Sequence, residues 1–280
     1  MNKFISALFL YCLLHISGCS PVSVAGMLGS TLIKTAMNSS ENDDATVTQY
    51  PVVHQQYDRE EIAVANLNLG IAYMQQGKYQ LALDKLNRAQ IAKPDFAPTY
   101  NVLGLLYQRV GETEKAETHF KHSLKLDPDD SGTLNNYGLF LCQNGRYEEA
   151  DKVFIQSAAN PLYATPEIAI SNAGTCALNN GQPDVAEDYF NQALTRNPAI
   201  GPALIQMAEI SYTRSDYISA RDYLHRYLSN SKHTPKTLWL GIRIERELGD
   251  KNALASYELL LRNKFSDSAE ARLLEESRVN

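Results

Sequence analysis

From residue 63 onward, apolar and small residues recur with helical spacing, in blocks that copy one another. Small residues stand at Gly70, Gly104, Gly138, Gly174, Ala208 and Gly241. Alanines follow at Ala82, Ala116, Ala150, Ala186, Ala220 and Ala253, and large apolar residues at Leu86, Phe120, Phe154, Phe190, Leu224 and Tyr257. All three registers step by 34, 34, 36, 34 and 33 residues. A second glycine marks a turn at Gly77, Gly111, Gly145 and Gly181, and prolines close blocks at Pro94, Pro128 and Pro198. The pattern predicts helix–turn–helix units at 63–96, 97–130, 131–166, 167–200, 201–233 and 234–267. A polar segment at 268–280 predicts a capping helix. Asp58 and Glu61 have capping-box spacing, so order is expected to begin at Asp58.

This period and these markers resemble the tetratricopeptide repeat. The resemblance implies an all-α fold, a right-handed superhelix of six repeats spanning 58–280 with its C-terminal cap. Each marker has a physical reason. Gly and Ala at the crossing let two antiparallel helices approach closely, and the bulky residue fills the space between a unit and its neighbour. The turn glycine tolerates a positive φ. Pro94 stops the second helix because it lacks an N–H and clashes with the preceding turn. No unit buries its apolar face alone, so stacking supplies the core. The departures are two extra residues in unit 3, near Asn160–Pro166, Ala208 and Ser215 in place of the glycines of unit 5, and a one-residue shift of Gly249 in unit 6.

Upstream of the repeats the pattern changes. Phe4–Ile16 is a run of thirteen mostly apolar residues after Lys3, too short to span a bilayer, which needs about 20. It fits the h-region of a secretory signal. The run ends Ile16-Ser17-Gly18-Cys19, which resembles a bacterial lipobox. The resemblance implies a leader at 1–18 that is removed, and acylation of Cys19 as the lipid anchor. Ser20, rather than Asp, then points to an outer-membrane, periplasm-facing location. Residues 19–57 carry the anchor and show no sustained period, which predicts a flexible tether. Val22–Met37, its more apolar stretch, is a candidate for contact with the bilayer surface.

Composition narrows the function. Lys and Arg total 26 against 32 Asp and Glu, a net charge of −6, which argues against a nucleic-acid partner. Loss of Lys3 with the leader makes the mature chain one charge more negative. No convergent catalytic set is visible, and no cofactor motif, so the expectation is a non-enzymatic scaffold without cofactor or metal. His119 and His122 lie three apart and are weighed as metal ligands, but the neighbouring core residue Phe120 places them on a solvated side. Glu112, Glu114 and Glu117 are expected on a solvated face, and Trp239 in the core.

The first helices of such stacks line a concave groove, where a protein partner is expected. Position five of units 1 to 4 reads Leu67, Asn101, Asn135 and Ser171. Position six reads Asn68, Val102, Asn136 and Asn172, and position nine Ile71, Leu105, Leu139 and Thr175. Asparagine amides beside aliphatics suit an extended peptide. Equally, the asparagines, above all those at position six, satisfy backbone groups between repeats. Replacing Asn101 and Asn135 by Ala is expected to weaken partner binding while changing stability little. No basic set matches a carboxylate clamp.

The runs Asn135–Cys142, Gly145–Ala150, Asn160–Tyr163 and Asn172–Gly174 with Cys176, together with the lipobox, resemble the type IV pilus biogenesis and stability lipoproteins, the tetratricopeptide pilotins. That resemblance implies a role in localising or assembling the outer-membrane secretin of the pilus, or in pilus stability, with the secretin as partner. The alternative is an outer-membrane adaptor that recruits cell-wall hydrolases. Finally, with Cys12 in the leader and Cys19 acylated, two thiols remain. Cys142 and Cys176 fall near the ends of neighbouring first helices, so a disulfide between them is expected in an oxidising compartment. The other reading is two small buried hydrophobes.

Overall fold

The computed structural model describes residues 58–279. The leader at 1–18, the anchor Cys19 and the tether at 19–57 lie outside the described residues. Among the described residues the chain is all helix: α1 (Arg59–Gln75), α2 (Tyr79–Ala92), α3 (Ala97–Arg109), α4 (Thr113–Leu126), α5 (Ser131–Gln143), α6 (Tyr147–Ala159), α7 (Pro166–Asn179), α8 (Pro183–Arg196), α9 (Gly201–Thr213), α10 (Tyr217–Leu228), α11 (Pro235–Leu248), α12 (Lys251–Lys264) and α13 (Ala269–Val279). Odd-numbered helices α1 to α11 open the six units and even-numbered ones close them; α13 is the cap. None of these helices is long and apolar enough to cross a membrane.

Asp58 caps α1, accepting from Glu60 N at 3.4 Å. The bond runs to the second residue of the helix, so the expected box with Glu61 is absent. The first-helix glycines act as foreseen. A Cβ built on Gly138 would lie 2.6 Å from the Phe154 ring, and one on Gly104 2.7 Å from Phe120. The bulky residue therefore fills mainly the crossing of its own unit, not only the space between units. It reaches the next unit as well: the Phe120 ring is 5.6 Å from that of Phe140.

The turns also follow the sequence. Gly77, Gly111, Gly145, Gly181 and the shifted Gly249 all hold φ between 71° and 80°. In unit 5 the same conformation is carried by Ser215 at φ 63°, the one non-glycine in that region among the described residues. The second helices end one step earlier than proline's missing N–H alone requires. Lys93, Asp127 and Asn197, each preceding a proline, leave the helix in extended conformation, because the proline ring disfavours helical geometry in the residue before it.

Each second helix contacts the first helix of its own unit and that of the next. First helices also touch one another along the series α1, α3, α5, α7, α9, α11 and α13, whereas second helices make no such contacts with one another among the described residues. A stack whose inner rods touch and whose outer rods splay must curve, so the first helices line the concave side. The core is correspondingly divided into five clusters strung along the stack, four centred on single junctions and one running through units 2, 3 and 4.

Candidate functional site

The concave face is built on positions two, five, nine and twelve of the first helices, one helical turn apart. Over units 1 to 4 these positions carry no charged residue: from Val64, Leu67 and Ile71 in α1 to Ile168, Ser171 and Thr175 in α7. Exposure is uneven along it. Leu67 and Asn135 retain 8% of their surface and Ser171 1%. Ile71, Asn101, Leu105, Leu139 and Thr175 are half-buried, and Asn68 is exposed. Leu67, Asn135 and Ser171 thus form the floor, and the others the accessible surface.

The asparagines pair across unit boundaries. Asn136 Nδ2 donates to Asn101 Oδ1 at 3.1 Å, and Asn172 Nδ2 donates to Asn135 Oδ1 at 2.9 Å. Position six of one unit therefore holds position five of the preceding one, by side chain rather than through backbone groups. The carbonyl of Asn101 or Asn135 is consumed in the ladder, which fixes the orientation of the amide and leaves its N–H donors without a partner among the described residues. Two turns further along, Gln108 Nε2 donates to Gln143 Oε1 at 2.6 Å. Ser171 Oγ is buried with no hydrogen-bond partner among the described residues, while Thr175 Oγ1 bonds the Ser171 carbonyl at 3.1 Å.

In units 5 and 6 the face changes character. Arg243 of α11 donates to both carboxylate oxygens of Glu209 in α9, at 3.1 and 2.9 Å, and lies 4.6 Å over the Tyr212 ring. Beyond it, Leu238 and Ile242 are fully buried under Ala271 and Leu274 of the cap. The open, uncharged part of the groove therefore belongs to units 1 to 4.

Cys142 at the end of α5 and Cys176 in α7 form a disulfide, with Cα atoms 5.8 Å apart. Asn179 Nδ2 lies 4.0 Å from Cys142 Sγ. The bond joins neighbouring first helices beside the groove, across the junction that follows the two-residue insertion.

Several other sequence candidates are placed differently from expectation. His119 is half-buried, stacked on Tyr107 with ring centroids 5.2 Å apart, and burial lowers its pKa. His122 is exposed, as expected, with its ring 4.1 Å from that of Tyr100. Both rings are thus engaged with tyrosines, and no group of three or more metal-ligating side chains exists among the described residues. Glu117 is not merely solvated. It accepts from Arg146 at 2.7 Å, Lys121 at 2.8 Å and Tyr137 at 3.1 Å, and this donor set pulls its pKa down to about 2. Trp239 is half-buried against the terminal cluster rather than enclosed in it.

Tetratricopeptide-repeat models match residues 61–129, 119–152 and 169–200. The described body is a stack of tetratricopeptide repeats. Among curated proteins, the chain is similar to the type IV pilus assembly protein PilF of Pseudomonas aeruginosa, 29% identical over 116 residues. That match spans 41% of this chain and 46% of the relative, less than half of its length. Among solved structures, that of P. aeruginosa PilF superposes with a TM-score of 0.71 at 28% identity, covering 79% of this chain and all of the other. The type IV pilus biogenesis factor PilW superposes with a TM-score of 0.69 at 29% identity, covering 76% and 98%. A tetratricopeptide protein from Parabacteroides merdae, 20% identical with a TM-score of 0.56, shares the fold alone. The chain is thus a tetratricopeptide-repeat protein related to type IV pilus assembly factors.

Proposed function

We propose that this protein is a binding scaffold of type IV pilus biogenesis, held at the outer membrane through acylated Cys19, facing the periplasm and acting on the localisation or assembly of the pilus secretin. The observation that carries the reading is the superposition of 79% and 76% of the chain on PilF and PilW at nearly 30% identity. An uncharged groove with oriented amides supports a scaffold role, since it offers donors for a peptide main chain and aliphatics for its side chains, and no acid–base pair for chemistry.

Deletion of the gene is expected to abolish surface pili and heat-resistant secretin multimers; normal piliation with a septation defect would point instead to an adaptor for cell-wall hydrolases. Cys19→Ala is expected to leave the repeats folded but move them to the soluble periplasmic fraction. The groove is tested by Asn101→Ala with Asn135→Ala, scored by secretin co-purification. Because each replacement also removes an inter-unit hydrogen bond, the expectation of little stability change is revised to a loss of about 1–3 kcal/mol for the pair. Unchanged co-purification with that loss would make the amides purely structural.

A further inference from the structure

One junction of the stack lacks a charge partner that other junctions have. At the junction of units 2 and 3, position twenty-one is Glu117. It is capped from the next unit by the Arg146 guanidinium at 2.7 Å and the Tyr137 hydroxyl at 3.1 Å. At the junction of units 4 and 5 the same position is Glu187, paired with Arg214. At the junction of units 5 and 6 it is Arg221, paired with the buried Glu245. Each charged residue at this position meets an opposite charge from the following unit. The first junction has the apolar Leu83 instead.

The junction of units 3 and 4 breaks the rule. Position twenty-one is Asp151, whose one partner among the described residues is the Tyr189 hydroxyl at 2.6 Å. Where Arg146 stands in unit 3, unit 4 has the exposed Gln182. Position seven is Leu69, Leu103, Tyr137, Met207 and Leu240 in the other units, but Ala173 here. The loss of both the guanidinium and the bulky side chain leaves a cavity of about 340 Å³, lined by Asp151, Glu148, Tyr147 and Tyr189 with Ala173 at its base. Lys152 also borders it, with no ion pair to either acid among the described residues. Burial holds the Tyr189 hydroxyl up to about 12, so it remains a donor to Asp151 and does not compete as an anion.

We propose that this cavity is a binding site for a guanidinium side chain of a protein partner, which ion-pairs with Asp151 and lies against the Tyr147 and Tyr189 rings, taking the place that Arg146 fills one junction earlier. Arginine suits the site better than lysine, because its planar fork both pairs with a carboxylate and stacks on aromatic faces. The cavity is separate from the asparagine ladder and gives the scaffold a second, charge-selective contact.

The test uses the full chain in detergent micelles and the peptide acetyl-Gly-Arg-Gly-amide, with its citrulline counterpart as a control of the same shape without charge. Binding is followed by NMR titration. The arginine peptide is expected to bind at least about tenfold more tightly, the factor one charge-assisted hydrogen bond supplies. Asp151→Asn should remove that preference. Gln182→Arg, which rebuilds the internal cap of unit 3, should abolish binding while melting at or above the wild-type temperature. Equal binding of the two peptides would overturn the proposal. So would an arginine preference that survives both variants, since it would then reflect the acidic surface as a whole. If Asp151→Asn does not fold, Gln182→Arg decides alone.

Discussion

Gly138 shows how one residue sets the spacing of a unit. Its missing Cβ would stand 2.6 Å from Phe154, closer than carbon atoms approach, so α5 and α6 cross at a distance only glycine allows beside phenylalanine. Unit 5 uses another solution, Ala208 with the smaller Leu224, both buried in one cluster. Gly138→Ala is therefore expected to cost about 1–3 kcal/mol by overpacking, and Phe154→Leu in that background should recover part of it. Thermal melts of the four proteins check this; additive losses would show that the two residues do not share the crossing. Glu117 gives a pH prediction. Its pKa is depressed from 4.5 to about 2 by Lys121, Arg146 and Tyr137, so the stability it supplies is fully present above about 4.5 and lost as pH falls through about 2. Glu117→Gln should flatten the acid limb of the melting curve over that window and cost about 1 kcal/mol at neutral pH, after allowing for the quarter of the side chain that remains exposed. An unchanged acid limb would show that the cluster contributes nothing. The glycines were legible in the sequence because only glycine fits there at a fixed period. The Glu117 cluster was not, because its donors lie on α4, on α5 and in the turn before α6, and acidic residues on a helix ordinarily face solvent. The buried hydroxyls of Ser123 and Ser157, which bond the Ala97 and Ser131 carbonyls at 2.9 and 2.8 Å, were missed for a related reason: at that position other units have Ala89 and Ala193.

Among the elements, α5, α6 and α7 form the most elaborated part of the stack. The two extra residues lie between α6 and α7, where Asn160 orders the loop by accepting from Leu162 N at 2.9 Å and donating to the Asp129 carbonyl at 3.1 Å. The loop leaves Leu162 91% exposed, yet α6 and α7 remain in contact. The Cys142–Cys176 disulfide closes the chain over 34 residues that include this insertion. A loop of that size corresponds to roughly 3–4 kcal/mol in the chain-entropy model. Replacing both cysteines by Ser is expected to lower stability by about 2–4 kcal/mol, with exchange of the α5 and α7 amides rising first. Alkylation and mass spectrometry of the unreduced periplasmic protein provide the companion measurement; two alkylated thiols in native protein would show that the bond does not form in the cell. Helix order and turn positions were readable from period alone, since each repeat supplies its own copies for comparison. The asparagine ladder was only half readable: sequence spacing puts Asn101 and Asn136 on neighbouring helices, but which amide donates depends on the lateral offset of α3 and α5, which no local pattern encodes.

For the molecule as a whole, stability follows from stacking in one dimension. Every helix from α1 to α13 contacts only its near neighbours in the series, so a change at one end has no direct route to the other. The cap shows the consequence most clearly. α13 buries Leu274 completely, and with Ala271 it covers Leu238, Ile242 and Leu261, which would otherwise present an apolar face at the end of the array. Arg262 of α12 holds the cap from outside through Glu275 at 2.8 Å. Leu274→Ala removes a fully buried side chain at a site with solvent on its far side, so the expected cost is at the lower end of the core range, about 2–3 kcal/mol. In a nearest-neighbour array that loss falls on the terminal unit. Hydrogen exchange should therefore accelerate in α11, α12 and α13 by one to two orders of magnitude, while α1 to α8 keep their wild-type protection and the groove of units 1 to 4 keeps its affinity for its partner. Exchange measured helix by helix decides the matter. A uniform acceleration along the whole series would mean that the stack unfolds as one cooperative block, and that the groove's integrity depends on its distant cap.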